Sequence, residues 1–307
     1  MEEGIPMFNR YFAKKKLSAF FALIALALLF TACGGGNSTS ATVSSSLSGS
    51  STPTSTPTGG TSATATLQHQ PVGTATLTWD QTTHMLTIQS KVTGLAPNSV
   101  HPVHINQGSC SDINATNSAR TLYTLNMTAD AYGIASATSK FVVAEGIPAK
   151  NWYFTIYNGP GLSTASQAEA IACGDVINSN TSLRSSQTVQ VSLESTQSAN
   201  QDVSGTATLS LSGHTLTVKL TLSGMQPYSQ HMVHIHAGSC VHQGAVVYSL
   251  TPVKADAEGK STTTTIIQNV TTIPPSGWYI NLHNGTDLST QTGFDPIACG
   301  DVMLNKA

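Results

Sequence analysis

The stretch His231–Cys240, HMVHIHAGSC, places three histidines within six residues, and a further histidine, His283, closes the segment WYINLH. Neutral imidazole nitrogen is a favoured ligand of zinc and copper, and an H-x-H pair with one distant histidine suits either metal. Residues two apart in a strand share a face. His234 and His236 therefore point one way, and Val233 and Ile235 point the other, where their apolar character marks the core. The same parity puts Trp278, Ile280 and Leu282 inward and Tyr279, Asn281 and His283 outward. If the two strands belong to one sheet, His234, His236 and His283 converge. His242, two residues after Cys240, is a candidate fourth ligand reaching in from the loop. His231 has the parity of Val233 and turns inward. With its counterpart His101 it is expected to be structural, bonded to backbone groups, because a buried imidazole needs a partner. His84 and His214 fall in predicted hairpin turns and are expected in solvent, and His69 carries no signal.

An H-x-H pair alone is a weak pattern; an internal repeat gives it weight. GTATLTWDQTTHMLTIQSKVTGLAPNSVHPVHINQGSC (73–110) parallels GTATLSLSGHTLTVKLTLSGMQPYSQHMVHIHAGSC (205–240). WYFTIYNGPG (152–161) parallels WYINLHNGTD (278–287), and IACGDV occurs at 171–176 and at 297–302. Two copies are expected, at residues 67–185 and 186–307. In the first, Asn106 stands where the second has His236, and Tyr157 stands where it has His283. The frame around them (Gly108, Ser109, Cys110, Trp152, Tyr153, Asn158, Gly159) is unchanged. The extra histidines thus mark a site expected only in the second copy.

The elements that must hold these residues read as strands. TATLTW, LTIQSKV, LTVKLTL, TTTTIIQ and WYINLH are rich in β-branched residues and alternate in polarity. GLAPNS and GMQPYS are turns in the same place in each copy. No segment beyond residue 66 has convincing helical periodicity; ASQAEAIA (165–172) is the nearest and is short. Many short strands at this spacing predict an all-β chain with a Greek-key sandwich or flattened barrel in each copy.

The N-terminal part reads differently. MFNRYFAKKK is basic, Leu17–Ala32 is an apolar run of signal-peptide length, and FTAC is similar to a bacterial lipobox ending at Cys33. Residues 1–33 are expected to be a lipoprotein signal with Cys33 lipidated, so that the protein is exported and anchored to the outer face of the cell membrane. Residues 34–66 are almost all Gly, Ser, Thr and Pro and are expected to form a disordered stalk. Four cysteines then remain, Cys110, Cys173, Cys240 and Cys299, an even number in an exported chain, which points to disulfides. Four cysteines allow three connectivities. The repeat selects Cys110–Cys173 and Cys240–Cys299, one within each copy. Charged residues make up 9% of the chain and the net charge is −2, which gives no footprint for nucleic acid.

LTVKLTLSGMQPYSQHMVHIHAGSC resembles the copper-binding strand of copper/zinc superoxide dismutases. WYINLHNG resembles their strand carrying a later copper ligand, and DPIACGDV is similar to their final segment. The resemblance implies a Greek-key barrel, copper at His234, His236 and His283, a structural His231 and a Cys240–Cys299 disulfide. The chordin-type CHRD domain is a comparable match in the HIH strand and the WYINLH strand, and implies no enzymatic role. The sequence departs from the dismutases in two ways. The loop after HIHAGSC is short and lacks a zinc-binding run, so zinc is not expected. Pro296 stands where the family has its catalytic arginine, and from residue 185 onward four lysines face seven acidic residues. An anion such as superoxide would meet no positive funnel. The leading expectation is a cell-surface lipoprotein with two dismutase-like domains, the second binding copper and dismutating superoxide slowly. The alternative is a non-catalytic copper-binding or CHRD-type structural or adhesion module.

Overall fold

The computed structural model describes residues 60–113 and 120–306, which fall in one compact unit, Ser55–Ala307. The expected signal segment, Cys33 and the expected stalk up to residue 59 lie outside the described residues. Among those described, no helix is long and apolar enough to cross a membrane.

The chain is all-β, as its alternating segments require. It opens with β1 (Thr61–His69), β2 (Val72–Asp80), β3 (Met85–Thr93), β4 (Val100–Gln107), β5 (Thr121–Thr128), β6 (Ala135–Val142), β7 (Trp152–Tyr157), β8 (Ala170–Val176) and β9 (Gln187–Leu193). It continues with β10 (Ser204–Ser212), β11 (Thr215–Ser223), β12 (Gln230–His231), β13 (Val233–Ser239), β14 (His242–Ser249), β15 (Val253–Lys254), β16 (Ser261–Gln268), β17 (Trp278–His283), β18 (Pro296–Asp301) and β19 (Met303–Leu304). A four-residue helix, α1 (Gln291–Phe294), precedes β18 and is capped by the Thr290 hydroxyl, which accepts from the Gly293 amide.

Two four-stranded sheets, ordered β6-β3-β2-β9 and β5-β4-β7-β8, enclose one core. The second core lies inside a larger curled sheet ordered β14-β13-β17-β18-β1-β10-β11-β16. The order β14-β13-β17-β18 has the form of β5-β4-β7-β8, and β1-β10-β11-β16 has the form of β9-β2-β3-β6. We call these units the N-terminal and C-terminal modules.

The boundary expected at residues 185 and 186 is not where the modules divide. β1 lies in the C-terminal module: it pairs antiparallel with β10 from Thr61↔Leu211 to Leu67↔Gly205, and its end pairs with β18. β9 lies in the N-terminal module, paired with β2 from Gly73↔Leu193 to Trp79↔Gln187. The cores agree. Ala63, Ala65 and Leu67 pack with Leu209, Leu220 and Ile280, whereas Val189, Val191 and Leu193 pack with Leu77, Ile88 and Phe154. The connector between β1 and β2 is only Gln70 and Pro71. The Gln70 amide donates to the Ile297 carbonyl, which holds the connector to β18, and proline brings no donor to a ladder. The stalk expected over residues 34–66 is corrected by the same strand. Residues 61–66 belong to β1, and from Ser62 onward they alternate exposed and buried, because every second side chain is apolar and meets the core.

The two disulfides are Cys110–Cys173 and Cys240–Cys299. Cys110–Cys173 fastens the segment after β4 to β8, and Cys240–Cys299 fastens the segment after β13 to β18, the IACGD strand of each module. Closing loops of this length contributes about 4 kcal/mol each in the chain-entropy account.

Candidate metal centre

β13 and β17 are neighbours in the C-terminal sheet, with His234 opposite Asn281 and His236 opposite Tyr279. Val233, Ile235, Ile280 and Leu282 enter the core from one face. The opposite face carries His234, His236 and His283, whose ligand atoms all lie within 4.8 Å of one another. Their side chains turn away from the core, as strand parity requires, but they do not reach solvent. His283 is wholly buried, His236 is 4% exposed and His234 is 6% exposed. The covering layer comes from other parts of the chain: Tyr279 stacks on His236 with ring centroids 5.0 Å apart, and Phe294 lies 4.9 Å from the His283 ring.

The hydrogen bonds set the tautomers. His236 Nδ1 lies 2.9 Å from the Gly244 carbonyl, and His283 Nδ1 lies 2.5 Å from the Phe294 carbonyl. A carbonyl only accepts, so both Nδ1 atoms carry hydrogen and both Nε2 atoms present lone pairs. His234 Nδ1 lies 3.2 Å from His283 Nε2. His236 Nε2 is buried and has no hydrogen-bond partner. Burial pushes all three pKa values down, that of His283 to about 4, where the neighbouring His234 and His236 also contribute. All three rings are therefore neutral at pH 7, the state in which imidazole ligates metal. A buried, unpartnered nitrogen beside two others is costly unless something fills the space between them, and a soft or borderline cation would do so.

The other histidines are placed elsewhere. His231 is fully buried, with Nδ1 3.0 Å from the His283 carbonyl and Nε2 2.8 Å from Ser229 Oγ. His101 repeats this in the N-terminal module, with Nδ1 2.8 Å from the Tyr157 carbonyl and Nε2 2.7 Å from Ser99 Oγ. His242 does not join the cluster. It opens β14 opposite Ser239, its ring is exposed, and it lies 5.0 Å from Tyr132 of the N-terminal module. The tight β13–β14 turn after Cys240 directs it away from the three buried rings, so the candidate fourth ligand is withdrawn. His84 and His214 are exposed in turns.

In the N-terminal module the corresponding place holds His104, Asn106 and Tyr157. His104 packs edge-on to Tyr157 at 4.9 Å, and Asn106 donates to Thr155 Oγ1 at 3.2 Å and accepts from Thr121 Oγ1 at 3.0 Å. Here the amide finds partners that are absent around His236. A cavity of about 640 Å³ opens over these residues, lined by Tyr153, Thr155, Tyr157 and Glu169 among others.

Sequence reading missed the residues that tie this face to the other module. Asp295 is buried and its Oδ1 accepts from the Ala96 amide at 3.0 Å; in the repeat it corresponds to Glu169, whose Oε2 accepts from Asn284 Nδ2 at 3.3 Å. Burial pushes the pKa of both carboxyls up. An acid immediately before the residue that leads into IACGDV in both copies was the available signal, but only the module contact gives it meaning.

The family model of the CHRD domain matches residues 180–287, a span that contains His234, His236 and His283 and begins before β9. It is one match, not two, and it favours the CHRD resemblance over the dismutase one. No curated protein matches the chain. Similar solved structures include one titled "Crystal Structure Analysis of the clock protein EA4", with 16% sequence identity, a TM-score of 0.26, and coverage of 34% of this chain and 88% of that chain.

Proposed function

We propose that the C-terminal module is a CHRD-type β module that holds one copper ion through His234, His236 Nε2 and His283 Nε2, and that it binds the metal without serving as an efficient redox enzyme. The observation that carries this is the orphaned, buried Nε2 of His236, set beside two other neutral imidazoles, with ligand atoms of all three rings within 4.8 Å of one another. Three imidazoles suit copper as well as zinc; copper is chosen because the strand carrying them resembles a copper-binding strand. Bound copper would supply one-electron chemistry.

The rest of the site argues against fast turnover of an anion. The ligands are covered by Tyr279 and Phe294, and Pro296 lies opposite His283 in the β17–β18 ladder, where the dismutases place an arginine. The N-terminal sequence supports export and anchoring by a lipid on Cys33, so the reading is a metal-holding module displayed at a cell surface.

Metal analysis of the full chain after exposure to Cu(II), Cu(I) and Zn(II) tests the proposal. One copper per chain is expected, and His236→Asn, the residue of the N-terminal counterpart, should abolish it. Binding that survives both His236→Asn and His283→Tyr would overturn the assignment.

A further inference from the structure

The two carbonyls that fix the tautomers of His236 and His283 are not free-standing. Each sits one residue from a side chain gripped by the N-terminal module. Gly244, which accepts from His236 Nδ1, follows Gln243. The Gln243 side-chain amide donates to the Leu95 carbonyl at 2.7 Å, and its main-chain amide donates to the Tyr132 carbonyl at 3.2 Å. Phe294, which accepts from His283 Nδ1, precedes Asp295. The Asp295 carboxylate accepts from the Ala96 amide at 3.0 Å. One helical turn earlier, Gln291 accepts from the Val100 amide at 3.1 Å and donates to the carbonyls of Val100 and Asn158, both at 2.8 Å.

The gripping atoms belong mostly to one loop. Leu95, Ala96 and Val100 span the GLAPNS turn and the first residue of β4. The loop is itself braced: the Leu95 amide donates to the Gly133 carbonyl, the Asn98 amide donates to the Asp130 carbonyl, and Ser99 Oγ bonds both the Ala96 carbonyl and His101 Nε2. The structural histidine His101 therefore stiffens the surface that holds the other module's ligand-orienting carbonyls. Gln243 and Asp295 are 6% and 2% exposed, so these bonds are sheltered from competing water.

We propose that loop 95–100 of the N-terminal module is a positioning device for the metal ligands of the C-terminal module, acting through Gln243 on His236 and through Gln291 and Asp295 on His283. The inference rests on the metal reading for its purpose, but not for its test. Outer partners of metal-bound histidines fix ring orientation, and their loss typically costs about 10–100-fold in metal affinity. Here that outer layer is governed by a separate module. Among the described residues the N-terminal module has no trihistidine set of its own, and this assigns it a task.

The test uses the full chain with Gln243→Ala and Gln291→Ala, singly and together. Long-range proton–nitrogen NMR on metal-free protein reports the tautomer of each histidine. Wild type should show His236 and His283 in the single tautomer with hydrogen on Nδ1. The variants should show mixed tautomers, at His236 for Gln243→Ala and at His283 for Gln291→Ala. Copper competition should show affinity lower by about 10–100-fold. Val189→Ala, which loosens the N-terminal core away from the loop, is the control for general destabilisation and should leave both tautomers as in wild type. Asp295→Asn keeps the acceptor for Ala96 and should behave like wild type, whereas Asp295→Leu should behave like Gln291→Ala; this pair decides the matter if either glutamine variant fails to fold. Unchanged tautomers in the glutamine variants and in Asp295→Leu would overturn the positioning role, whatever the metal does. Absence of metal binding by wild type would overturn the metal reading instead, and the NMR comparison would still decide the positioning role.

Discussion

Ala65 lies opposite Ala207 in an antiparallel ladder that joins the first described strand to the second half of the chain. The pairing makes the C-terminal module depend on residues 61–69. A chain beginning at Val72 should keep the N-terminal sheets but leave β10 and β18 with unpaired edges, a recognised route to aggregation. Leu67→Ala should cost about 2–5 kcal/mol, as for other buried leucines. The loss should appear in the C-terminal module first, as faster proteolysis between residues 204 and 304 with residues 72–193 still protected. A fragment cut at residue 186 is a poor test of metal binding for the same reason: it lacks β1 and carries β9 without its partner.

The disulfide of the C-terminal module lies close to the metal centre. Cys240 and Cys299 pack with Tyr279, and Tyr279 stacks on His236. Replacing both cysteines with serine should lower stability by about 4 kcal/mol on the chain-entropy estimate. Copper affinity should fall in the same variant. The matching change at Cys110 and Cys173 should destabilise the N-terminal module and reduce copper affinity less. Thermal unfolding and copper competition on the two double variants measure both effects.

Superoxide turnover separates holding a metal from using it. Electrostatic steering changes anion on-rates by about 10–1000-fold, and from residue 185 onward the chain sets four lysines against seven acidic residues. Copper-loaded protein should dismutate superoxide slowly, with little dependence on ionic strength in stopped-flow measurement. Pro296→Arg should raise both the rate and its salt dependence. A wild-type rate near the diffusion limit would contradict the binding-module reading.

Acid should weaken the fold through its buried histidines. Burial lowers the pKa of His69, His101 and His283 to about 4, against 6.5 for the free side chain. A depressed histidine pKa means that the unfolded chain binds the proton first. Stability is therefore full above pH 6.5 and is lost as pH falls from 6.5 towards 4. Asp295 acts with the opposite sign: burial raises its pKa, so its contribution is present below 3.8 and is lost as pH rises through the raised value. Denaturant unfolding of metal-free protein should show stability declining below pH 6.5. His101→Gln should flatten that limb, since glutamine cannot take up the proton.

Much of the molecule is written locally. Alternating apolar residues mark β2, β3, β11 and β17 because strand side chains repeat every two residues. The same parity puts His234, His236 and His283 on one face away from the core, and the repeat pairs each cysteine within its own module. What the sequence by itself could not decide is which sheet a strand joins. TSATATLQH and QTVQVSL have the same alternation, and either could complete either sheet. The choice is made by the short Gln70–Pro71 connector, its bond to Ile297, and the packing of Leu67 into one core and Leu193 into the other. Nor could parity show that the face away from the core is buried. That face is closed by Tyr279, Phe294 and the contact between modules, built by Leu95, Ala96, Gln243, Gln291 and Asp295. These residues follow no period, because their positions are set by the docking of two surfaces far apart in the chain. The three histidines are legible as types at a spacing; their neutrality, their tautomers and their shelter from water come only with the tertiary structure.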